Sequence, residues 1–170
     1  MQHTITIKNP GNDKMGASLV ALLDALEQFS KINFGDELVV DLQRLTFVYP
    51  FLVLPVSSLL SNCENCTIKY RVNEKTESYL QTILFPNGFD ALYLPDWNVT
   101  LTHYQDKTYL PICLVPSGKE NTQIREQLLT VFENILLRQL NLTGQMVTVI
   151  KYLISEAMDN IVEHANVTNG

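Results

Sequence analysis

The sequence is poor in the residues that specialise a protein. It has three cysteines, and only one tight pair among them, Cys63 and Cys66 in SNCENC; Cys113 lies alone in an apolar run. A tetrahedral zinc site takes about four ligands. Neither a second C-x-x-C nor paired histidines supply them, because His3, His103 and His164 are scattered. A redox C-x-x-C opens a helix after a strand, where the helix N-terminus lowers the thiolate pKa. Here the pair precedes a strand-like run, so ordinary reduced cysteines are expected. No apolar run approaches the roughly 20 residues of a membrane span, and the polar start Met1-Gln2-His3 lacks the build of a signal peptide. Basic residues are outnumbered, 12 against 18, giving a net charge of −6. That balance argues against an electrostatic grip on nucleic acid or anionic lipid. The seven glycines are isolated, so no glycine-rich phosphate cradle is present. A cytoplasmic protein is expected, one that engages other proteins and neither nucleic acid nor membrane.

What is present is a globular composition, 46% hydrophobic over 170 residues, long enough to bury roughly 70% of the unfolded surface without disulfide or metal. Residues 4–8 (TITIK) alternate as a strand. A helix follows, with Asp13 as a cap and Met15, Leu19, Leu22, Leu23, Leu26 and Phe29 on a stripe expected to face a core. Residues 37–42 (ELVVDL) read as a buried strand ending in Asp41, and residues 46–48 as a short strand. Pro50 and Pro55 forbid an uninterrupted central strand after it and suit the start of a helix. Residues 67–72 (TIKYRV) alternate again, and residues 76–84 suit a helix stopped by Pro86-Asn87-Gly88. This order predicts an α/β layer domain over residues 1–95, with helices on a largely parallel sheet.

A second unit is expected over residues 96–170. Residues 97–104 (WNVTLTHY) and 108–115 (TYLPICLV) read as a β-hairpin around Gln105-Asp106-Lys107. Two long helical patterns follow. The first, residues 121–140, aligns Ile124, Leu128, Val131, Phe132, Ile135 and Leu136; the second runs from about Gln145 to Ala165 with Val149, Tyr152, Leu153, Met158 and Ile161 among its apolar positions.

The stretch VVDLQRLTFVYPFLVLPVSSLL, in this order of elements, resembles the STAS-type fold of bacterial anti-sigma-factor antagonists. In that family a strand ending in Asp leads to a D-S-S-G-like turn whose serine a partner kinase phosphorylates. Asp41 and the run Leu45-Thr46-Phe47-Val48 match the approach; Tyr49-Pro50-Phe51 stands where the acidic residue and serine would be. Ser57 and Ser58 come several residues later, so the phospho-acceptor role is not carried onto them.

The sharpest local signal is residues 155–165, SEAMDNIVEHA. Glu156, Asn160 and His164 recur every four residues, so each step rotates about 40° around a helix and all three share a face. A carboxamide oxygen is a hard, neutral ligand for Mg²⁺, and a carboxylate can orient or deprotonate a nucleophile. The run E-A-x-x-N-x-x-x-H-A resembles the N-box of the GHKL ATPase and kinase superfamily, particularly its anti-sigma-factor serine-kinase and histidine-kinase-like branches. The resemblance implies that Asn160 coordinates Mg²⁺, that Glu156 is the catalytic base or positions water, and that His164 lies near the phosphates. It implies Mg-ATP as cofactor and a truncated GHKL-type α/β sandwich beginning at the hairpin.

The family's adenine-reading D-x-G-x-G segment and glycine-rich lid border do not occur in these 170 residues. No nucleotide is therefore expected to bind this chain alone, which reads as the N-terminal part of a longer regulatory protein. Its whole would couple a STAS-like interaction domain to an ATPase or kinase, with a regulatory protein as partner. Self-association as a homodimer through the apolar face of the last helix, or packing of that face on the first domain, is a further expectation. The competing reading is a non-catalytic interaction module with a vestigial N-box. A thiol oxidoreductase using Cys63 and Cys66 is a third.

Overall fold

Two short alternating runs and one continuous apolar run build three strands, β1 (Gln2–Thr6), β3 (Thr67–Val72) and between them β2 (Glu37–Leu42), which pair in parallel in the order β1-β2-β3. The structure is a computed structural model and describes residues 2–10, 15–33, 35–63, 66–93, 96–115, 121–140 and 143–164, without the side chains of residues 15, 136, 139, 140 and 161–164. Two units are distinguished, Met1–Asn87 and Gly88–Gly170.

In the first unit, register places Ile5 beside Val40 and Tyr70, and Thr6 beside Asp41 and Arg71. Parallel partners point their side chains to the same face, so one face is apolar (Ile5, Leu38, Val40, Leu42) and the other largely polar (Thr4, Thr6, Asp41, Lys69, Arg71). Helix α1 (Met15–Phe29) links β1 to β2, and α2 (Pro50–Ser61) links β2 to β3. Same-handed crossovers between neighbouring strands put both helices on one face, and α1 and α2 do pack on each other. Leu52, Val53, Val56 and Leu60 of α2 are buried there. Helix α2 begins at Pro50, where a missing N–H costs nothing, and tolerates Pro55 inside it. Asn73 caps α3 (Glu74–Thr82) by accepting the Lys75 N–H at 3.0 Å.

Two expectations for this unit are corrected. Residues 46–48 form no strand; Thr46 and Phe47 make a bend held by Asn9, with Thr46 Oγ1 donating to Asn9 Oδ1 at 2.8 Å and Asn9 Nδ2 to the Phe47 carbonyl at 2.8 Å. Helix α1 turns Ser18, Ala21, Leu22, Ala25 and Phe29 inward, and leaves Leu19, Leu23 and Leu26 exposed. Small side chains let the helix backbone approach its neighbours closely, so they win the inward face over larger leucines. The cap expected from Asp13 lies outside the described residues.

The second unit departs further from expectation. The hairpin does not form: Trp97–Thr102 is a helix, α4. Trp97, Leu101 and Tyr104 are buried at helical spacing, whereas Val99, which a strand would place beside Trp97 and Leu101, is 56% exposed. Pro111 supplies no N–H to a ladder, and only Cys113–Leu114 (β5) is strand, paired in parallel with β4 (Phe89–Asp90). Gly88, at φ +63°, precedes β4; a Cβ there would lie 2.7 Å from the Ile112 carbonyl oxygen that accepts the Phe89 N–H. Helices α5 (Thr122–Leu140) and α6 (Gly144–His164) form an antiparallel pair, with Leu128 and Ile135 buried on one and Val147 and Met158 on the other. Lys151 Nζ donates to Glu133 Oε2 at 2.7 Å across it. No described helix is long and apolar enough to cross a membrane.

Candidate functional site

Helix α6 carries the predicted site residues. Its seam against α5 runs Val147, Lys151, Ile154, Met158, at steps of four, three and four. At 100° per residue, Met146, Val149, Leu153, Glu156 and Asn160 fall within about 80° of one another on the opposite side. The exposures agree: Met146 53%, Val149 54% and Leu153 59%, with Glu156 and Asn160 also exposed. The helix therefore brings Glu156 and Asn160 together, one turn apart, on a face continuous with an exposed apolar stripe. It also reaches His164, whose side chain lies outside the described residues.

Chemically the pair offers one carboxylate and one carboxamide oxygen, both in water. That donor set suits a hard cation such as Mg²⁺, which takes one or two protein oxygens and completes its octahedron with phosphate and water. Among the described residues there is no cluster of three His, Cys, Asp or Glu side chains that would hold a metal by itself.

In the first unit the loop after Asp41 is tied in place. Asp41 Oδ1 accepts the Gln43 N–H at 3.0 Å, and Thr76 Oγ1 donates to the Leu45 carbonyl at 3.2 Å. Tyr49 occupies the N-cap of α2 and gives its helix no side-chain cap. Ser57 is buried and donates to the Pro86 carbonyl, while Ser58 is exposed within the helix. Neither stands at the turn.

The cysteines are free thiols. Burial pushes the Cys63 thiol above its ordinary range, and neighbouring Cys66 adds to the rise. A thiol nucleophile needs the opposite shift. Cys113 is pushed up to about 12, by burial first and by the nearby Asp90 second.

One feature escaped sequence reasoning. A cleft of about 270 Å³ lies between α1 and the ends of β1 and β2, lined by Thr6, Lys8, Asp24, Asp41 and Arg44 among others. The carboxyl ends of parallel strands are where open α/β sheets form ligand crevices, so charged residues just past two strand ends, Lys8 and Arg44, were the available signal. Lys8 already faces Asp24 at 3.7 Å, which leaves the cleft with mixed charge.

No protein-family model, curated protein or solved structure matches the chain.

Proposed function

We propose that the chain is the leading part of a bacterial regulatory ATP-binding protein, in which a STAS-like interaction domain precedes the N-box helix of a GHKL-type ATPase or kinase. The observation that carries the reading is the position of Glu156 and Asn160 on the side of α6 turned away from α5. An N-box must face its nucleotide across a cavity, and the outward stripe is where such a cavity would be completed. In that role Asn160 contributes a neutral oxygen to Mg²⁺ and Glu156 accepts a proton from, or orients, the attacking group. Magnesium would neutralise phosphate charge when bound. The adenine-reading and lid segments are supplied by further polypeptide. The exposed leucines of α1 suit the interaction role of the first unit.

Titration of Mg-ATP into the protein completed by a D-x-G-x-G-bearing segment tests this. Asn160→Ala should abolish binding while leaving helical circular dichroism unchanged, and Glu156→Ala should retain binding and lose turnover. Unchanged Mg-ATP affinity in Asn160→Ala would sink the assignment.

A second reading is favoured by one observation: Met146, Val149 and Leu153 make half of the same face apolar. In that reading α6 docks a protein and the N-box is vestigial; the completed protein would then bind no Mg-ATP at all.

A further inference from the structure

We propose that the outer edge of β3 is a docking site for an extended, acidic peptide segment, which adds to the sheet as a fourth strand. This rests on the first unit alone and is independent of the nucleotide reading.

The two edges of the sheet are treated differently. The Ile7 N–H donates to the Asp41 carbonyl at 2.9 Å, so odd-numbered residues at the end of β1 look towards β2 and Thr6 looks outward. The outward groups of Thr6 are closed by one side chain, Gln28 of α1, whose Oε1 accepts the Thr6 N–H at 2.8 Å and whose Nε2 reaches the Thr6 carbonyl at 3.4 Å. Carrying the alternation through the register turns Lys69 and Arg71 backbone groups towards β2 and leaves those of Ile68 and Tyr70 facing outward on β3. Among the described residues no strand pairs with that edge. Along this six-residue strand Ile68 and Tyr70 thus present outward donors and acceptors, the template on which β-augmentation works.

Side chains along the edge select the occupant. On one face Ile68, Tyr70 and Val72 alternate, with the Tyr70 ring stacked edge-on to Phe85 at 6.3 Å between centroids. On the other face stand Lys69, whose Nζ donates to Glu37 Oε1 of β2, and Arg71, both side chains exposed. A matching strand places apolar residues beside Tyr70 and carboxylates beside Lys69 and Arg71. A second copy of this edge does not match. Antiparallel pairing centred on Tyr70 sets Lys69 opposite Arg71, and like charges directly opposite are destabilising. The cations that block self-pairing attract an acidic partner, Arg71 most strongly, because the charge of Lys69 is shared with Glu37.

The test uses two fluorescein-labelled octapeptides, one alternating Glu and Val and one alternating Lys and Val, titrated into the full chain at low salt. The Glu peptide should bind and slow amide hydrogen exchange at Ile68 and Tyr70. The Lys peptide should bind at least tenfold more weakly. Arg71→Glu should weaken the Glu peptide about five- to tenfold, because a cross-strand attraction becomes a repulsion. Tyr70→Pro should remove binding through the lost N–H; Arg71→Glu, on an exposed side chain, keeps the test valid if that proline prevents folding. Equal affinity for the two peptides, no binding of the Glu peptide at millimolar concentration, or protection mapping away from β3 would overturn the proposal.

Discussion

Replacing Leu101 and Val99 separately by alanine distinguishes helix α4 from a strand through the same residues. In the helix Leu101 is 1% exposed and packs on the side of Trp97 and Tyr104, whereas Val99 is 56% exposed. Leu101→Ala removes a fully buried side chain and leaves a cavity, a loss of about 3 kcal/mol. Val99→Ala removes little buried area and exchanges a β-branched residue for the best helix former, a gain of about 0.5 kcal/mol. The two variants should therefore differ by about 3.5 kcal/mol in opposite directions from the parent. Urea unfolding followed by fluorescence reads this in place, because Trp97 is the one tryptophan of the chain and lies buried in the same helix. With a urea dependence of about 1.5 kcal/mol per molar, the Leu101→Ala midpoint should fall by about 2 M and that of Val99→Ala should stay or rise slightly. A strand would put residues 97, 99 and 101 on one face. Equal losses for the two substitutions would refute the helix.

Three further outcomes are expected. Gly88→Ala should cost about 2 kcal/mol or more, because its Cβ meets the Ile112 carbonyl at a positive φ, whereas Gly35→Ala, at φ +81° in open space, should cost only about 1 kcal/mol; equal thermal shifts would show that the β4 contact is not made. Cys113, with its pKa pushed up to about 12, should be alkylated at pH 8 about three orders of magnitude more slowly than a free thiol of pKa about 8.5. Since folding raises this pKa from 9.0, the stability it contributes is intact below pH 9 and is lost as pH climbs towards 12; rapid labelling at pH 8, read by mass spectrometry, would contradict its burial. Gln28→Ala should uncover the β1 edge, costing about 1 kcal/mol and speeding exchange of the Thr6 amide, and an unchanged exchange rate would show that the clamp is not needed.

The first unit was legible because its signals are local. The short apolar run of residues 37–42, the alternation of residues 67–72 and Pro50 at the first position of α2 are each read within a few neighbouring residues. What was not legible depended on volume and partners. WNVTLTHY satisfies a period of two through Trp97, Val99 and Leu101 and a period of 3.6 through Trp97, Leu101 and Tyr104, and only packing chooses between them. The inward face of α1 goes to Ser18, Ala21 and Ala25, which carry little hydrophobic weight in a sequence pattern but allow close approach. The two-residue strands β4 and β5 are too short to leave a periodic trace.

The candidate site was legible for a different reason: it needs only one helix. Spacing alone puts Glu156 and Asn160 on one face, whatever packs elsewhere. Spacing could not say which way that face points, because α6 is apolar on two sides. Val147 and Met158 close one side against α5; Met146, Val149 and Leu153 leave the other exposed, and the polar pair continues that second side. A helix that only had to stabilise a hairpin with α5 would gain nothing from three exposed apolar residues opposite its seam, since each exposes area worth about 25 cal/mol per Å² when buried. Their presence beside Glu156 and Asn160 argues that the same surface that would hold the polar chemistry is built to be covered. Substituting Met146, Val149 and Leu153 together by Ser, Thr and Gln should therefore leave α6 packed on α5, by circular dichroism, and yet abolish whatever association brings the covering layer. Unimpaired association would mean that Glu156 and Asn160 stand on an ordinary wet face, and the N-box reading would lose its structural support.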